Sequence, residues 1–244
     1  MPYNRAVLIL ALDTSSPSGS LAVLRDEKLI GVVSTATGEV YSSRMFRELE
    51  FLLKELALRM EDFDLFAVAA GPGSFTGLRV GLAAVKGWAE VYGKPIAAVS
   101  ALEAVAAQSR EAGLFAVPVL DARRSQVYFG VYRRIVDAGG HARRAPDGDE
   151  CVMTPAELFA VLRARDTDSG FTIVTPVPEL FADRASQNEI ASLKASLEPA
   201  SSVLAPFIGQ LGFRKAQRRE LVDALTLDAN YVRRTDAEMH WKES

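Results

Sequence analysis

The chain has 244 residues, 49% of them hydrophobic and 24% charged, with a formal charge of −3. Those proportions exclude a disordered polymer, and the length holds one large domain or two small ones. The slightly acidic balance gives no overall basic field for nucleic acid, the single cysteine (Cys151) excludes an intrachain disulfide, and two distant histidines (His141 and His240) leave little for a histidine metal centre. No apolar stretch is long enough to span a bilayer, so the expectation is a cytoplasmic protein with no membrane contact.

Residues 7–12 form an unbroken apolar run, the pattern of a strand buried on both faces, and Asp13 ends it. The polar turn 14–19 leads to two further strands, 20–24 and 29–34, joined by a charged turn. Ser42 or Ser43 can cap a helix running to Met60. A strand at 65–70, a glycine-rich loop from Gly71, a helix at 76–92, a strand at 96–99 and a helix at 102–110 follow. The theme then repeats. Residues 115–120 are an apolar run closing on Asp121, and 126–133 read as one strand beyond a polar turn. A Gly-, Pro- and charge-rich loop spans 137–150, and Thr154-Pro155 opens a helix. A strand at 171–175 and a helix at 201–215 close the pattern. This near-repeat predicts two related mixed-sheet α/β halves, 1–105 and a smaller 106–244 whose C-terminal segment packs back on the first. A ligand-binding cleft between such halves is the expectation.

On the first helix Met45, Leu49, Leu52, Leu53, Leu56 and Met60 make a core stripe. Phe51 and Leu58 project to the opposite side, among Arg44, Arg47 and Lys54. The second helix has Leu78, Leu82, Val85 and Ala89 on one face, and Gly81, Ala84, Gly87, Trp88 and Val91 on another. Its charges, Arg79, Lys86 and Glu90, fall in one narrow stripe, so the helix is covered on more than one side. Small residues at such spacings allow another helix to approach closely. A protein–protein face and a central core helix both account for the pattern.

The loop Gly71-Pro72-Gly73-Ser74-Phe75-Thr76-Gly77 joins a strand to a helix, where backbone N–H groups favour an anion. It lacks the Gly-Lys-Ser/Thr ending of a P-loop and the third glycine of a Rossmann turn. One reading is an anion or nucleotide contact made by Asp13, Thr14, Gly71, Gly73, Ser74, Thr76 and Asp121. The other is a tight turn capped by Ser74 and Thr76, with the two aspartates as turn formers. No nucleophile–base pair accompanies either aspartate. Arg123, Arg124, Arg133, Arg134, Arg143 and Arg144 face one acid, Asp137, across 123–144: a strip for RNA phosphates, or a solvated hairpin.

Three segments carry a family resemblance: Leu10-Ala11-Leu12-Asp13-Thr14-Ser15, the loop from Gly71 to Gly81, and Leu120-Asp121-Ala122-Arg123-Arg124. Together with the closing Asn230-Tyr231-Val232-Arg233-Arg234, they resemble the TsaB (YeaZ) family, in order along almost the whole chain. The resemblance implies an actin-like ATPase fold of two ribonuclease-H-like halves. It implies a non-catalytic scaffold or activator in tRNA N6-threonylcarbamoyladenosine synthesis next to the anticodon. The implied partners are a TsaD-like paralogue that carries the active site and a TsaE-like ATPase, with tRNA met indirectly and a homodimer when alone. The partner face would lie on the two first-half helices, at Phe51, Leu58, Gly77, Val80, Gly81, Ala84, Gly87 and Trp88. Catalytic relatives carry a His-x-x-x-His metal motif, which this chain lacks, and 175–178 read Thr-Pro-Val-Pro where members often have a glycine-containing phosphate loop. No catalytic residue, metal or cofactor is therefore expected. The alternative is an actin-fold ATPase or small-molecule kinase acting on its own through Asp13, Asp121 and the glycine loop; a peptidase lacks the side chains.

Overall fold

The computed structural model describes residues 5–16, 18–35, 41–111, 113–136, 140, 142–165 and 170–232. They divide into two compact units, one running to Ala104 and including Ser202–Asn230, the other spanning Val105–Ser201.

The first unit contains β1 (Leu8–Asp13), β2 (Ser20–Arg25), β3 (Lys28–Val33), α1 (Tyr41–Glu55), β4 (Leu65–Gly71), α2 (Phe75–Tyr92) and β5 (Ile96–Ser100). Its sheet has the order β3-β2-β1-β4-β5, with β1–β3 antiparallel and β1, β4 and β5 parallel. A short helix, α3 (Ala101–Ala106), ends the pattern. The second unit repeats it with β6 (Phe115–Arg123), β7 (Gln126–Phe129), β8 (Tyr132–Val136), β9 (Ala142–Pro146), β10 (Cys151–Met153), α4 (Pro155–Ala164), β11 (Phe171–Thr175), α5 (Arg184–Ser192) and β12 (Ser196–Pro199). There the order is β10-β7-β6-β11-β12, the same path, with β8 and β9 as an appended hairpin. A duplicated sheet of this order is the ribonuclease-H-like pair of the actin-like ATPase fold.

Every residue of β1 is buried because the sheet is covered on both faces. Leu8, Leu10 and Leu12 pack with Met45, Leu49 and Leu52 of α1 and Leu82, Val85 and Ala89 of α2. The last helix, α6 (Ala205–Gln217), lies against β1, β2, β4 and β5 of the same sheet. Gly209 and Gly212 permit this: a Cβ would fall 2.2 Å from Leu24 Cδ1 at the first and 2.8 Å from Ala67 Cβ at the second. In the second unit, α4 and α5 bury Leu158, Phe159, Leu162 and Ile190 against Val117, Val119, Phe171 and Ile173. Thr154 and Glu157 form the capping box of α4, with Pro155 in its first turn.

Several boundaries differ from the sequence reading. The first helix begins at Tyr41, ahead of Ser42 and Ser43, and ends at Glu55 rather than Met60. The Leu58 N–H donates to Leu53 O and the Ala57 N–H to Lys54 O, a Schellman closure with Ala57 at φ 51°. Met60 lies in a separate 3-10 turn. The run 126–133 is two strands broken at Gly130-Val131, and the helix expected at 102–110 stops at Ala106.

Candidate functional site

The glycine loop lies directly on the turn that follows β1. The Ser74 N–H donates to Ser15 O at 2.8 Å. A Cβ at Gly73 would stand 2.5 Å from Ser15 O, one at Gly77 2.0 Å from Thr14 O, and one at Gly81 2.3 Å from Thr14 Oγ1. Three glycines at these positions thus let α2 and its leading loop approach residues 14 and 15 more closely than any side chain would allow. Ser74 is the N-cap of α2 and accepts from the Gly77 N–H at 3.2 Å. Thr76 is exposed and takes no part in the cap. Gly71 (φ 120°) faces the C-terminal segment, whose Asn230 N–H donates to Ala70 O at 2.7 Å.

Asp13 is fully buried at the end of β1. Its Oδ1 accepts from the Ser15 N–H (2.8 Å) and hydroxyl (2.6 Å), and its Oδ2 from the Ser16 hydroxyl (2.9 Å). Burial raises its pKa from the ordinary aspartate value, and these hydrogen bonds oppose the rise in part. Thr14, also buried, turns its hydroxyl onto α2; that oxygen has no hydrogen-bond partner among the described residues. Asp121 repeats the local chemistry in the other unit: its Oδ1 accepts from the Arg123 N–H at 2.7 Å, and its Oδ2 lies 3.3 Å from the Arg123 guanidinium. Asp13, at the end of β1, and Asp121, two residues before the end of β6, thus each accept from the backbone N–H two residues on. Among the described residues no three His, Cys, Asp or Glu side chains gather as a metal site; His141 and His240 lie outside them.

The two first-unit helices expose an apolar surface. Val80, Ala84, Gly87 and Val91 recur at i, i+4, i+7 and i+11 along α2, with Gly87 open, Val91 75% exposed, and Val80 and Ala84 half-buried against the core. Trp88 borders this stripe, its ring 5.9 Å from that of buried Phe66 and 6.5 Å, edge-on, from that of Phe46 on α1. Phe46 is 57% exposed, a residue of this face that the sequence reading does not include. Phe51, 55% exposed, lies about 140° further round α1, on the side away from the core.

Three residues expected on this face stand elsewhere. Gly81 is buried against Thr14, and Gly77 is held by the Thr14 carbonyl, so both serve contacts inside the unit. Leu58 lies beyond the end of α1, half-buried against the core, and not seven residues along a continuous helix from Phe51. The arginine strip also divides. Arg123 ends β6 and Arg124 follows in the turn, while Arg133, Arg134, Arg143 and Arg144 are on the β8–β9 hairpin, which pairs with Phe115 and Ala116 at the other end of β6. Nine extended residues separate these ends by about 26 Å.

Residues 22–172 match the model of the TsaD family, described as tRNA N6-adenosine threonylcarbamoyltransferase. The duplicated fold and this match place the chain in the class of proteins related to that transferase. Within the class, the tRNA threonylcarbamoyladenosine biosynthesis protein TsaB of Bacillus subtilis is 32% identical over 97% of this chain and 98% of its own length. TsaB of Haemophilus influenzae is 34% identical over 50% of this chain and 52% of its own. The solved structure of YeaZ from Pseudomonas aeruginosa has the same fold, with a TM-score of 0.71 and 24% identity, over 92% of this chain and 99% of that one. The chain belongs to the TsaB family, and its role is in tRNA threonylcarbamoyladenosine biosynthesis. No helix among the described residues is long and apolar enough to cross a membrane.

Proposed function

We propose that this chain is a non-catalytic scaffold and activator of a TsaD-like transferase, bound through the exposed face of α1 and α2. The observation that carries the reading is the apolar face on which Phe46, Gly87 and Val91 are exposed beside half-buried Val80, Ala84 and Trp88, in a member of a tRNA-modification family. Gly87 and Ala84 let a partner helix approach the α2 backbone closely, and Phe46, Trp88 and Val91 supply apolar area around them. A TsaE-like ATPase joins the pair, and alone the chain pairs with itself through the same face. The glycine loop supports a non-catalytic role, because Gly73, Gly77 and the Ser74 N–H are engaged with Ser15 and Thr14. Co-purification with the cognate TsaD-like protein tests the proposal. The complex should survive Asp13→Asn and be lost with Ala84→Arg; equal retention of both variants would sink it.

The rival is an ATPase or kinase working alone through the same loop, with Asp13 and Asp121 toward magnesium. It requires phosphate beside the loop, where Gly73 and Gly77 already lie close against Ser15 and Thr14. A calorimetric titration of the purified chain with magnesium–ATP decides between them: heat of binding lost on Asp13→Asn favours the rival.

A further inference from the structure

In the first unit, β2 and β3 are joined by the two-residue turn Asp26-Glu27. In the second, the equivalent strands β7 and β10 are separated by residues 130–150, which carry the β8–β9 hairpin. The hairpin lies off the repeated five-strand path and pairs with it at Phe115 and Ala116 of β6. The duplicated fold therefore does not require it.

Its base is firmly anchored. Arg144 Nη1 donates to Gly113 O (2.8 Å) and Nη2 to Glu111 O (2.9 Å), while the Tyr132 hydroxyl donates to Glu150 Oε1 at 2.6 Å. Arg165 holds both the carboxylate (2.7 Å) and the carbonyl (2.8 Å) of Asp147 just past β9.

Its charges conflict. Arg134 stands directly opposite Arg144 in the ladder, an arrangement that opposes pairing of the strands. Arg133 and Arg143 share the other face, diagonal to one another, and the Asp147 carboxylate serves Arg133 at 3.8 Å and Arg165 at once. The Arg134 and Arg143 side chains form no ion pair with a described carboxylate. Among the described residues the ribbon thus carries cations on both of its faces, Arg133 and Arg134 exposed and Arg143 and Arg144 half-buried.

We propose that the β8–β9 hairpin is a phosphate-backbone contact for RNA, made by Arg133, Arg134 and Arg143 and braced by Arg144. Cations on both faces of a thin two-stranded ribbon suit a ligand that can flank it, as two runs of phosphates do. An acidic protein surface would engage one face and leave the other unmet. The family's tRNA substrate supplies such a ligand, and the contact is independent of the α1/α2 face.

The test is tRNA binding by fluorescence anisotropy, with the chain alone and with its TsaD-like partner, comparing wild type with Arg134→Glu/Arg143→Glu. The first substitution sets a carboxylate opposite Arg144, so the variant should remain folded by circular dichroism. Two lost phosphate contacts should lower the salt slope by about 2, so that between about 50 and about 200 mM KCl the wild type loses about tenfold more affinity than the variant. Equal affinity and equal slope, or no tRNA binding in either setting, overturns the proposal. So does loss of a protein partner with tRNA affinity unchanged, which would assign the hairpin to an acidic protein surface.

Discussion

Gly81 and Thr14 touch so closely that a Cβ on the glycine would lie 2.3 Å from the threonine hydroxyl oxygen. Gly81→Ala should therefore destabilise the chain by about 1–2 kcal/mol, the overpacking penalty outweighing the helix propensity gained. Gly77→Ala should cost more, because the obstacle is the Thr14 carbonyl, which cannot rotate away. Gly87, with nothing within 4 Å, should behave in the opposite sense, Gly87→Ala adding about 0.5–1 kcal/mol. Urea unfolding of the three variants checks the order. If all three were equally stable, these glycines would not serve the contacts assigned to them.

Much of this was legible in sequence, and the failures have identifiable causes. The runs before Asp13 and Asp121 exposed the duplication, because a strand covered on both faces has no polar alternation. The glycines of α2 were read as one small-residue face, since a helical wheel shows spacing but not which neighbour each residue meets. Gly81 meets Thr14, Gly87 meets nothing, and only tertiary contact separates them. Leu58 falls outside the expected helix because Ala57 adopts a left-handed conformation normally marked by glycine, and the sequence carries no such stop signal there. The arginines of 123–144 look contiguous in sequence, but β6 separates them in space.

That left-handed alanine gives a second prediction. Ala57 carries the strain of φ 51° at the C-terminus of α1. Ala57→Gly should stabilise the chain by about 0.5–1 kcal/mol, the relieved strain exceeding the added entropy of the unfolded glycine. The midpoint of chemical unfolding should rise with its slope unchanged. A fall in midpoint would show that the Schellman closure does not persist in solution.

Asp13 sets a pH dependence whose sign follows from its burial. Burial raises its pKa in the folded chain above the ordinary 3.8, so the folded state holds a proton that the unfolded state has already released. Stability from this group is complete below about 3.8 and declines as pH rises through the raised folded value. Asp183 and Asp223 act in the other direction: hydrogen bonds from Ser186 and Thr226, respectively, lower their pKa, so their contribution is lost as pH falls through those lowered values. Asp13→Asn should remove only the decline above 3.8, leaving the acid limb intact. Urea unfolding from about pH 2 to about pH 8 checks both limbs. Parallel curves for wild type and variant would mean that the Asp13 carboxyl ionises as freely in the fold as in the unfolded chain.

The partner face makes the last prediction, because Val91, its most exposed residue, bears little of the fold. Val91 is 75% exposed, near the end of α2. Val91→Asp should change the stability of the isolated chain by no more than about 0.5 kcal/mol, as expected at an exposed site. In a complex packed across the α2 stripe, the same carboxylate would be buried without a partner, a cost of about 3 kcal/mol or more, which is roughly a hundredfold in affinity. Phe51→Asp, on the far side of α1, discriminates further. If the partner spans both helices it should weaken binding too, and if contact is confined to the α2 stripe and Phe46 it should not. Calorimetric titration of each variant with the TsaD-like protein reads both effects. Undiminished binding by Val91→Asp would place the interface elsewhere on the chain.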